Sequence, residues 1–324
     1  MQSFLRGDQS SLSIVLNPVF DRRRIPSAPM TFSCSATEVL LRRLDEAKNF
    51  VLDERGEIAH GIDVLQDVVS SKAAVKLRGA VRVGDGIFIL NDVERNDLKL
   101  SKNENDLLRP YFTTKELRRY FGNSKNTLWI IYTNSTYKNK SAITPFPKIK
   151  SHLDKYAAVL TSVNKPYGLH RARDENFFKG EKIFAQRKSA SPTFTYTAFD
   201  CYVSRMFISI KSVRINLQYL TALLNSNVVK FWLKHKGKMQ GQNYQLDNEP
   251  LLAIPLISPS KKEQERIAKL VNLICQATEK LDTAVLDSER DRYQRLIDQT
   301  DAKIQEAVYT YYKLTESDID LINV

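Results

Sequence analysis

A tract of cationic and amide side chains contains the residues best suited to binding chemistry. Residues 233–256 read LKHKGKMQGQNYQLDNEPLLAIPL, with the cations first and the amides after them. Lysine attracts phosphate as a point charge, whereas glutamine and asparagine can pair with base edges. The tract lacks the Gly-Lys-Ser/Thr of a nucleotide-binding loop, and apolar flanks at both ends argue against disorder. We expect a tethered loop that touches nucleic acid through Lys234, His235, Lys236, Lys238, Gln240, Gln242, Asn243 and Tyr244.

Two further stretches combine arginine with aromatic and turn-forming residues. Arginine in residues 164–188 has the bidentate geometry that guanine recognition uses, although Arg171 and Arg173 have an alternative in the adjacent acids at 174–175. Such surface ion pairs contribute about 1 kcal/mol or less. Residues 118–125, RRYFGNSK, form a similar basic turn. The candidates from both stretches are Arg118, Arg119, Tyr167, His170, Arg171, Arg173, Arg187 and Lys188.

The positive charge is concentrated in the middle of the chain. The net charge is +12, yet residues 136–190 carry twelve Lys/Arg against four Asp/Glu, and residues 205–245 carry seven against none. Residues 261–324 are slightly acidic, with ten against thirteen. A solvated basic face is the simpler interpretation, but the absence of acids over 41 residues favours a surface that faces phosphates.

The sequence has no arrangement of residues that catalysis or metal binding would need. The four histidines are isolated from one another and from the three cysteines, which contain no CxxC pair. We expect reduced, buried thiols. An Asp followed by Glu-x-Lys, the arrangement that metal-dependent nucleases use, is also missing. The chain is therefore expected to have no chemistry of its own, with no metal and no cofactor.

The chain divides into three segments by composition. Residues 1–34 contain the short apolar stretch LSIVL and a proline- and arginine-rich connector, which indicates an attachment segment. Residues 35–259 mix helical and alternating patterns and form the predicted recognition domain. Residues 260–324 are predicted to be helical. No signal peptide and no run of eighteen apolar residues is present, so we expect a cytoplasmic protein without membrane contact.

Apolar periodicity predicts the elements of the middle segment. SATEVLLRRLDEAKNFV, beginning at Ser35, is a capped helix, and residues 58–129 read as strands separated by turns. Residues 181–188 and 193–211 alternate like half-exposed strands, whereas residues 216–236 read as one helix. The LLAIPL stretch that closes the basic tract is expected to be a strand.

The C-terminal segment predicts about fifty residues of helix in one or two pieces. No proline or glycine follows Lys261, and the apolar stripe changes phase near residues 287–291, where the helix is expected to bend or reverse. So long a stripe predicts a partner helix. A homodimer seam and a surface that docks another protein both remain open. The docking residues would be Ile267, Leu270, Ile274, Leu281, Val285, Ile297, Ile304 and Val308.

Six stretches in fixed order resemble a known family. They are ERGEIAHGIDVLQDVV (54–69), DLLRPYFTTKELRRY (106–120), WIIYT with FPKIKSHLDKYAAVL (129–160), EKIFAQRK (181–188), YLTALLNSNVVKFWLK (219–234) and NEPLLAIPLISPSKKEQERIAKLV (248–271). Together with the tyrosine-rich C-terminal end, they resemble TaqI-like specificity domains. Those domains form the C-terminal part of fused type IIG restriction-modification methylases and are related to type I specificity subunits.

The resemblance implies an α+β fold, with a curved, mainly antiparallel sheet flanked by helices and followed by long C-terminal helices. It also implies that variable loops read the bases and that the helices dock onto a methyltransferase or a second recognition unit. The Asn-Pro-Pro-Tyr type motif and the glycine-rich cofactor loop of the fused enzymes are missing here. S-adenosylmethionine and Mg²⁺ are therefore expected only on a partner enzyme.

Two functions from different classes remain open. The first is a non-catalytic DNA specificity subunit or domain, which binds a short double-stranded target and presents it to an adenine methyltransferase and endonuclease. The second is a non-catalytic regulatory or remnant module that acts mainly by protein-protein interaction through its C-terminal helices.

Overall fold

The computed structural model describes residues 35–78 and 81–323, so the predicted connector of residues 1–34 lies outside it. Within these residues, the helices are α1 (Ser35–Ala47), α2 (Ser71–Lys76), α3 (Asp92–Asp97), α4 (Lys102–Asn105), α5 (Pro147–Asp154), α6 (Leu217–Leu224), α7 (Asn227–Lys236), α8 (Asn248–Ala253), α9 (Lys261–Thr283), α10 (Asp287–Tyr311) and α11 (Glu316–Asn323). The strands are β1 (Ile58–His60), β2 (Ile89–Asn91), β3 (Leu108–Phe112), β4 (Tyr120–Phe121), β5 (Leu128–Ile131), β6 (Lys182–Gln186), β7 (Lys188–Ser189), β8 (Phe194–Thr197), β9 (Tyr202–Val203), β10 (Phe207–Ile210), β11 (Lys238–Gln240) and β12 (Asn243–Gln245).

The strands form three open sheets. Their orders are β1-β10-β6-β8-β4, β2-β5-β3-β9 and β11-β12-β7. Among the described strands, only β3–β9 and β4–β8 pair in parallel, and the other pairings are antiparallel. The predicted α+β class with mainly antiparallel strands and long C-terminal helices is therefore confirmed, although the strands are divided among three sheets.

The five-stranded sheet separates two apolar cores. In β6, Ile183 and Ala185 face the core that α1 and α6–α11 cover, which we call the helix-side core. Phe184 faces the second core, which lies between this sheet and the four-stranded sheet. Strand β10 repeats the pattern, with Ile208 on the helical side and Phe207 on the other. Since side chains alternate along a strand, sequences apolar at nearly every position must bury both faces.

The helix predicted over residues 216–236 is interrupted at Asn225. The Asn225 amide pairs with both backbone groups of Phe194 in β8, at 3.1 and 2.7 Å. The Ser226 hydroxyl then accepts from the Val229 amide at the start of α7, 3.3 Å away. The helix is therefore divided into α6 and α7 by the bonds of Asn225 to β8 and by the local cap that Ser226 provides.

The C-terminal helices α9 and α10 form an antiparallel hairpin that reverses at residues 284–286. The Tyr311 hydroxyl at the end of α10 donates to the Glu263 carboxylate at the start of α9, 2.9 Å away. Of the bend or reversal predicted near residues 287–291, the structure shows a reversal, and it lies just before that range. The domain boundary predicted at 259/260 remains a prediction. The hairpin packs into the same core as the five-stranded sheet.

The apolar stripe of this hairpin packs against the protein itself. Ile267, Ile274, Ile304 and Val308 are 0–1% exposed, and Leu270 and Ile297 pack partly buried against the same core. Leu281 is partly exposed, whereas Val285 is 88% exposed at the reversal. A docking role would require these side chains to be accessible, and this corrects the expectation for the buried ones. Helix α10 is the partner helix that the stripe of α9 requires.

Two stretches differ locally from the predicted elements. Residues 58–129 contain α2, α3 and α4 as well as strands, because side-chain caps such as the Asn91–Glu94 and Ser101–Glu104 capping boxes begin short helices. In the expected LLAIPL strand, residues 251–253 belong to α8, and Leu256 forms an isolated bridge with Phe50. No helix among the described residues is both long and apolar enough to span a bilayer.

Candidate nucleic-acid interface

The basic tract forms a β-hairpin where the sequence predicted a loop. Strands β11 and β12 pair with Lys238 opposite Gln245, Met239 opposite Tyr244 and Gln240 opposite Asn243. Gly241 opens the two-residue turn with φ +63°, a backbone conformation that glycine adopts without steric cost. We call residues 238–245 the ribbon.

The pleat divides the ribbon into an inner and an outer face. Tyr244 is 6% exposed and packs into the helix-side core, so Met239 opposite it lies on the inner face. Side chains of directly paired residues share a face, and successive side chains alternate. The outer face therefore carries Lys238, Gln240, Asn243 and Gln245, and this placement excludes Tyr244 from the outer surface.

Strand β7 extends the outer face at the base of the ribbon. It pairs with β12 through Ser189 opposite Tyr244 and Lys188 opposite Gln245. Lys188 therefore lies in the same row as Gln245 and Lys238, and it is exposed. Since β7 ends there, the pairing of Gln240 with Asn243 involves two strands only.

Ion pairs fix the base of the ribbon. Arg187 donates to the Asp247 carboxylate, and Lys238 lies 2.8 Å from the Glu249 carboxylate. The hydrogen bond from Arg187 holds the pKa of Asp247 below its ordinary value. Because the Lys238 side chain is 51% exposed, its pair with Glu249 contributes little and can exchange for a phosphate.

A chain of contacts connects the ribbon to the segment around Arg173. The Arg187 guanidinium donates to the Arg205 carbonyl at 3.3 Å, and Arg205 lies 3.6 Å from the Asp63 carboxylate. The Asp63 amide in turn donates to the Arg171 carbonyl at 3.0 Å. Arg173 donates to the carbonyl of Gly61, 3.3 Å away.

These residues form one cationic surface. We call it the basic surface and define it as Arg171, Arg173, Arg187, Lys188, Arg205 and Lys238. It has six cations against the three carboxylates of Asp63, Asp247 and Glu249.

His60 lies within the basic surface. Burial lowers its pKa, and the charges of Arg187 and Arg173 lower it further, against a smaller opposing effect of Asp247. The imidazole is therefore neutral near pH 7, and it leaves the positive charge of the surface to the arginines and lysines.

Three predicted contact residues have structural roles elsewhere. Arg119 binds both carboxylate oxygens of Asp301 in α10, at 2.9 and 3.0 Å, and Arg118 pairs with Asp282 in α9. Both arginines therefore attach the C-terminal hairpin to the five-stranded sheet. Tyr167 is 4% exposed, and its hydroxyl donates to Asp154 at 2.7 Å.

The remaining candidates flank the basic surface. Lys234, His235 and Lys236 form the last turn of α7, where cations interact favourably with the helix dipole, and Gly237 connects them directly to β11. The His235 ring packs on Phe231 with centroids 4.6 Å apart, and burial and Lys234 lower its pKa. His170, next to Arg171, accepts from the Val163 amide at 3.4 Å. Gln242 is exposed in the turn of the ribbon.

Sequence reasoning missed Arg205 of the basic surface and two residues next to it, Gln245 and His60. Gln245 is two positions from Asn243, so strand alternation would have indicated it if the tract had been interpreted as a hairpin. His60 is placed by the pairing of β1 with β10, and Arg205 by its amide, which donates to the Ile62 carbonyl at 2.8 Å. No local signal connects them to the ribbon.

The described residues contain no group of three or more His, Cys, Asp and Glu side chains placed to hold a metal ion. His152, for example, is buried, and its Nε2 lies 2.9 Å from the Ile87 carbonyl. Burial raises the pKa of the Cys275 thiol to about 12. A group of this kind is a poor nucleophile near neutral pH.

Comparison with protein families identifies the segment that contains this surface. Residues 109–256 match the family model of the TaqI-like C-terminal specificity domain. This segment is therefore similar to TaqI-like specificity domains, and it includes the ribbon and all six residues of the basic surface. The resemblance predicted from the sequence is confirmed for these residues. No curated protein sequence matches the chain.

Two solved structures align with most of the chain, and the first of them shares its fold. The type IIL restriction-modification enzyme MmeI, solved in complex with DNA, has a TM-score of 0.56 and 13% identity over 85% of this chain and 35% of that chain. The type IIG restriction endonuclease BpuSI has a TM-score of 0.39 and 11% identity over 86% of this chain and 33% of that chain. The chain thus spans about a third of the length of these enzymes.

Proposed function

We propose that the chain recognises a short double-stranded DNA sequence as the specificity subunit, or specificity domain, of a restriction-modification system. One observation carries the proposal: the segment that matches a specificity domain folds its basic and amide residues into one exposed surface. The cations there would bind phosphates and position the protein on the duplex, whereas the amides would bind base edges and recognise the sequence. The similar fold of MmeI, an enzyme solved with DNA, supports it.

Chemistry on the bound DNA would come from elsewhere. We propose that the chain presents its target to an adenine methyltransferase and endonuclease, as a separate subunit or as a part of the same longer enzyme. S-adenosylmethionine and Mg²⁺ would then belong to that enzyme and not to the segment described here.

A docking role through the C-terminal hairpin is the second candidate. One observation favours it: Val285 and Leu286, at the reversal between α9 and α10, are 88% and 60% exposed. The apolar stripe of the hairpin is mostly buried, but these two apolar side chains at the reversal are exposed. A methyltransferase or a second copy of the chain could cover them. This contact would complement DNA recognition.

Selection from duplexes with a randomised centre tests the proposed function. We expect the full chain to enrich one short motif, and its affinity for that motif to fall steeply with salt because bound phosphates release counterions. Lys188→Ala should reduce the slope of log affinity against log salt by about one. Lys269→Ala, at an exposed position on α9, is the matched control and should leave the slope unchanged. Equal affinity for all duplexes would overturn the proposal.

A further inference from the structure

The outer face of the ribbon presents two rows of side chains at different heights. Lys188, Gln245 and Lys238 form the row at the base, and Gln240 and Asn243 form the row next to the turn. The two rows are two residues apart along the strands, which corresponds to roughly 6.8 Å. When the turn end points into a groove, Gln240 and Asn243 therefore lie deepest, and Lys188 and Lys238 lie nearer to its rim.

The turn end is a two-stranded ribbon, a form that the DNA major groove admits. Only β11 and β12 pair at Gln240 and Asn243, because β7 reaches no further than Tyr244. The major groove is about 12 Å wide and 8.5 Å deep, and it admits a two-stranded β-ribbon. The minor groove is about 6 Å wide, too narrow for a paired ribbon to enter without widening it.

The two amides at the turn end are available for a ligand. Gln245 is held by Asp247, 2.9 Å away, and Lys238 is paired with Glu249. By contrast, no side-chain hydrogen bond joins Gln240 or Asn243 to any residue in the described part of the chain. Each amide offers a donor and an acceptor, which matches the N7 acceptor and N6 donor of adenine.

We infer that the turn end of the ribbon enters the major groove and that Gln240 and Asn243 read adenine there. Directly paired residues have Cβ atoms about 5 Å apart, so the two amides would reach the same or adjacent base pairs. Lys188 and Lys238 would meet phosphates at the rim of the groove. This inference rests on the proposed function and specifies both the groove and the base.

Deaza-substituted duplexes test the inference with the full chain. The probe is the motif enriched from the randomised duplexes, with single adenines replaced by 7-deazaadenine, which lacks the major-groove acceptor, or by 3-deazaadenine, which lacks the minor-groove acceptor. We expect 7-deazaadenine at one or two adjacent positions to weaken binding on the order of tenfold to a hundredfold. The 3-deazaadenine duplexes should bind like the unmodified duplex.

Side-chain variants connect the effect to the ribbon. Gln240→Ala and Asn243→Ala should each weaken binding to the unmodified motif and abolish the penalty of 7-deazaadenine at one position. Gln276→Ala, at an exposed position on α9, is the control and should keep the full penalty. All three sites are outside the cores, and circular dichroism should show unchanged folding.

The outcomes separate the inference from the proposed function. An enriched motif sensitive only to 3-deazaadenine would overturn the major-groove inference and leave sequence recognition intact. An enriched motif whose 7-deazaadenine penalty survives in both alanine variants would show that another element reads adenine, which also overturns the inference. Failure to enrich any motif would overturn the proposed function, and the inference with it.

Discussion

Individual cationic side chains in this protein divide into those paired within the fold and those exposed at its surface. Arg119 is fixed by the Asp301 carboxylate and by the Asn225 carbonyl, 2.9 Å away. Burial alone would lower its pKa, but the neighbouring Tyr120 and Asp301 raise it above the ordinary value. Lys188 and Arg171, by contrast, are exposed. Residue type alone does not distinguish these two roles.

Removing the carboxylate of Asp301 should destabilise the fold. Asp301→Ala leaves the guanidinium of Arg119 and the hydroxyl of Tyr120 without their acceptor. We expect the free energy of unfolding to fall by about 2 kcal/mol, since hydrogen bonds to charged groups contribute about 1.5–3 and the 38% exposed Arg119 regains some water. Urea denaturation measures the change.

Glu46→Ala is the matched control for this substitution. Glu46 pairs with Arg42 at 3.9 Å, and both side chains are 68% exposed. Its loss should change the free energy of unfolding by less than about 0.5 kcal/mol. Equal effects of the two variants would contradict the structural role of the Asp301 contact.

Glu57 should make stability fall in acid. Burial raises the pKa of this carboxyl, but hydrogen bonds from Arg214, Ser212 and the Asp53 amide hold it below the ordinary value of 4.5. A depressed carboxyl pKa contributes stability that is present above pH 4.5 and is lost as pH falls through the folded-state pKa. Glu57→Gln should therefore flatten the acid loss in urea denaturation series. A variant with the wild-type pH dependence would contradict this role.

At the residue scale, sequence order limits what can be predicted. Arg118 and Arg119 were placed at a DNA surface because they form a basic turn, but their acidic partners lie 164 and 182 positions away. Arg187 likewise finds Asp247 across 60 positions. Local sequence gives the charge of a side chain, whereas chain pairing over long separations decides whether that charge is neutralised.

At the element scale, the ribbon depends on its turn. Gly241 has φ +63°, and a Cβ added there would meet no atom within 4 Å. Gly241→Ala should therefore introduce backbone strain of about 1–2 kcal/mol without a steric clash. We expect DNA affinity to fall several-fold, because the strained turn populates the ribbon less. Fluorescence anisotropy with the enriched duplex measures the affinity.

Gly180→Ala provides the matched control for the turn. Gly180 has φ +60° and is similarly free of atoms within 4 Å of an added Cβ, but it precedes β6 outside the ribbon. Its substitution should produce similar strain and leave DNA affinity unchanged. Equal losses of affinity in the two variants would indicate that strain acts through global stability and not through the ribbon.

The C-terminal hairpin should behave as part of the core. Ile304 is fully buried, so Ile304→Ala should lower the free energy of unfolding by about 2–5 kcal/mol. Val285→Ala, at an 88% exposed position, should change it by less than about 0.5 kcal/mol. Thermal and urea unfolding measure both. A tolerated Ile304→Ala would contradict the intramolecular packing of α10.

Element prediction succeeded where one periodicity extends over many residues. The C-terminal helices and α1 follow such patterns, and strands were also predicted correctly from residue 181 onward. The expectation that these strands are half-exposed was wrong for β6 and β10, which bury both faces. Element prediction failed at α2, α3 and α4, which contain only four to six residues and depend on side-chain caps. The ribbon was missed because its strands contain three residues each, too few for alternation to be recognised.

At the scale of the whole molecule, charge and core occupy different parts of the structure. Helices α1 and α6–α11 cover one face of the five-stranded sheet, and the four-stranded sheet lies on the other face. Most of the buried apolar side chains lie in the two cores formed on these faces. The positive charge collects at the end where β6, β7, β10 and the ribbon meet. A surface of this kind attracts a polyanion at long range and leaves specificity to a few uncharged side chains.

The ratio of affinities for the enriched duplex and a scrambled duplex of equal composition tests the central claim most directly. Sequence-specific proteins typically bind their targets about a thousandfold or more above non-specific DNA at physiological salt. We predict a ratio of this order for the full chain, measured by anisotropy at about 0.15 M salt. A ratio near one would show that the basic surface binds phosphates only, and it would contradict sequence recognition by this protein.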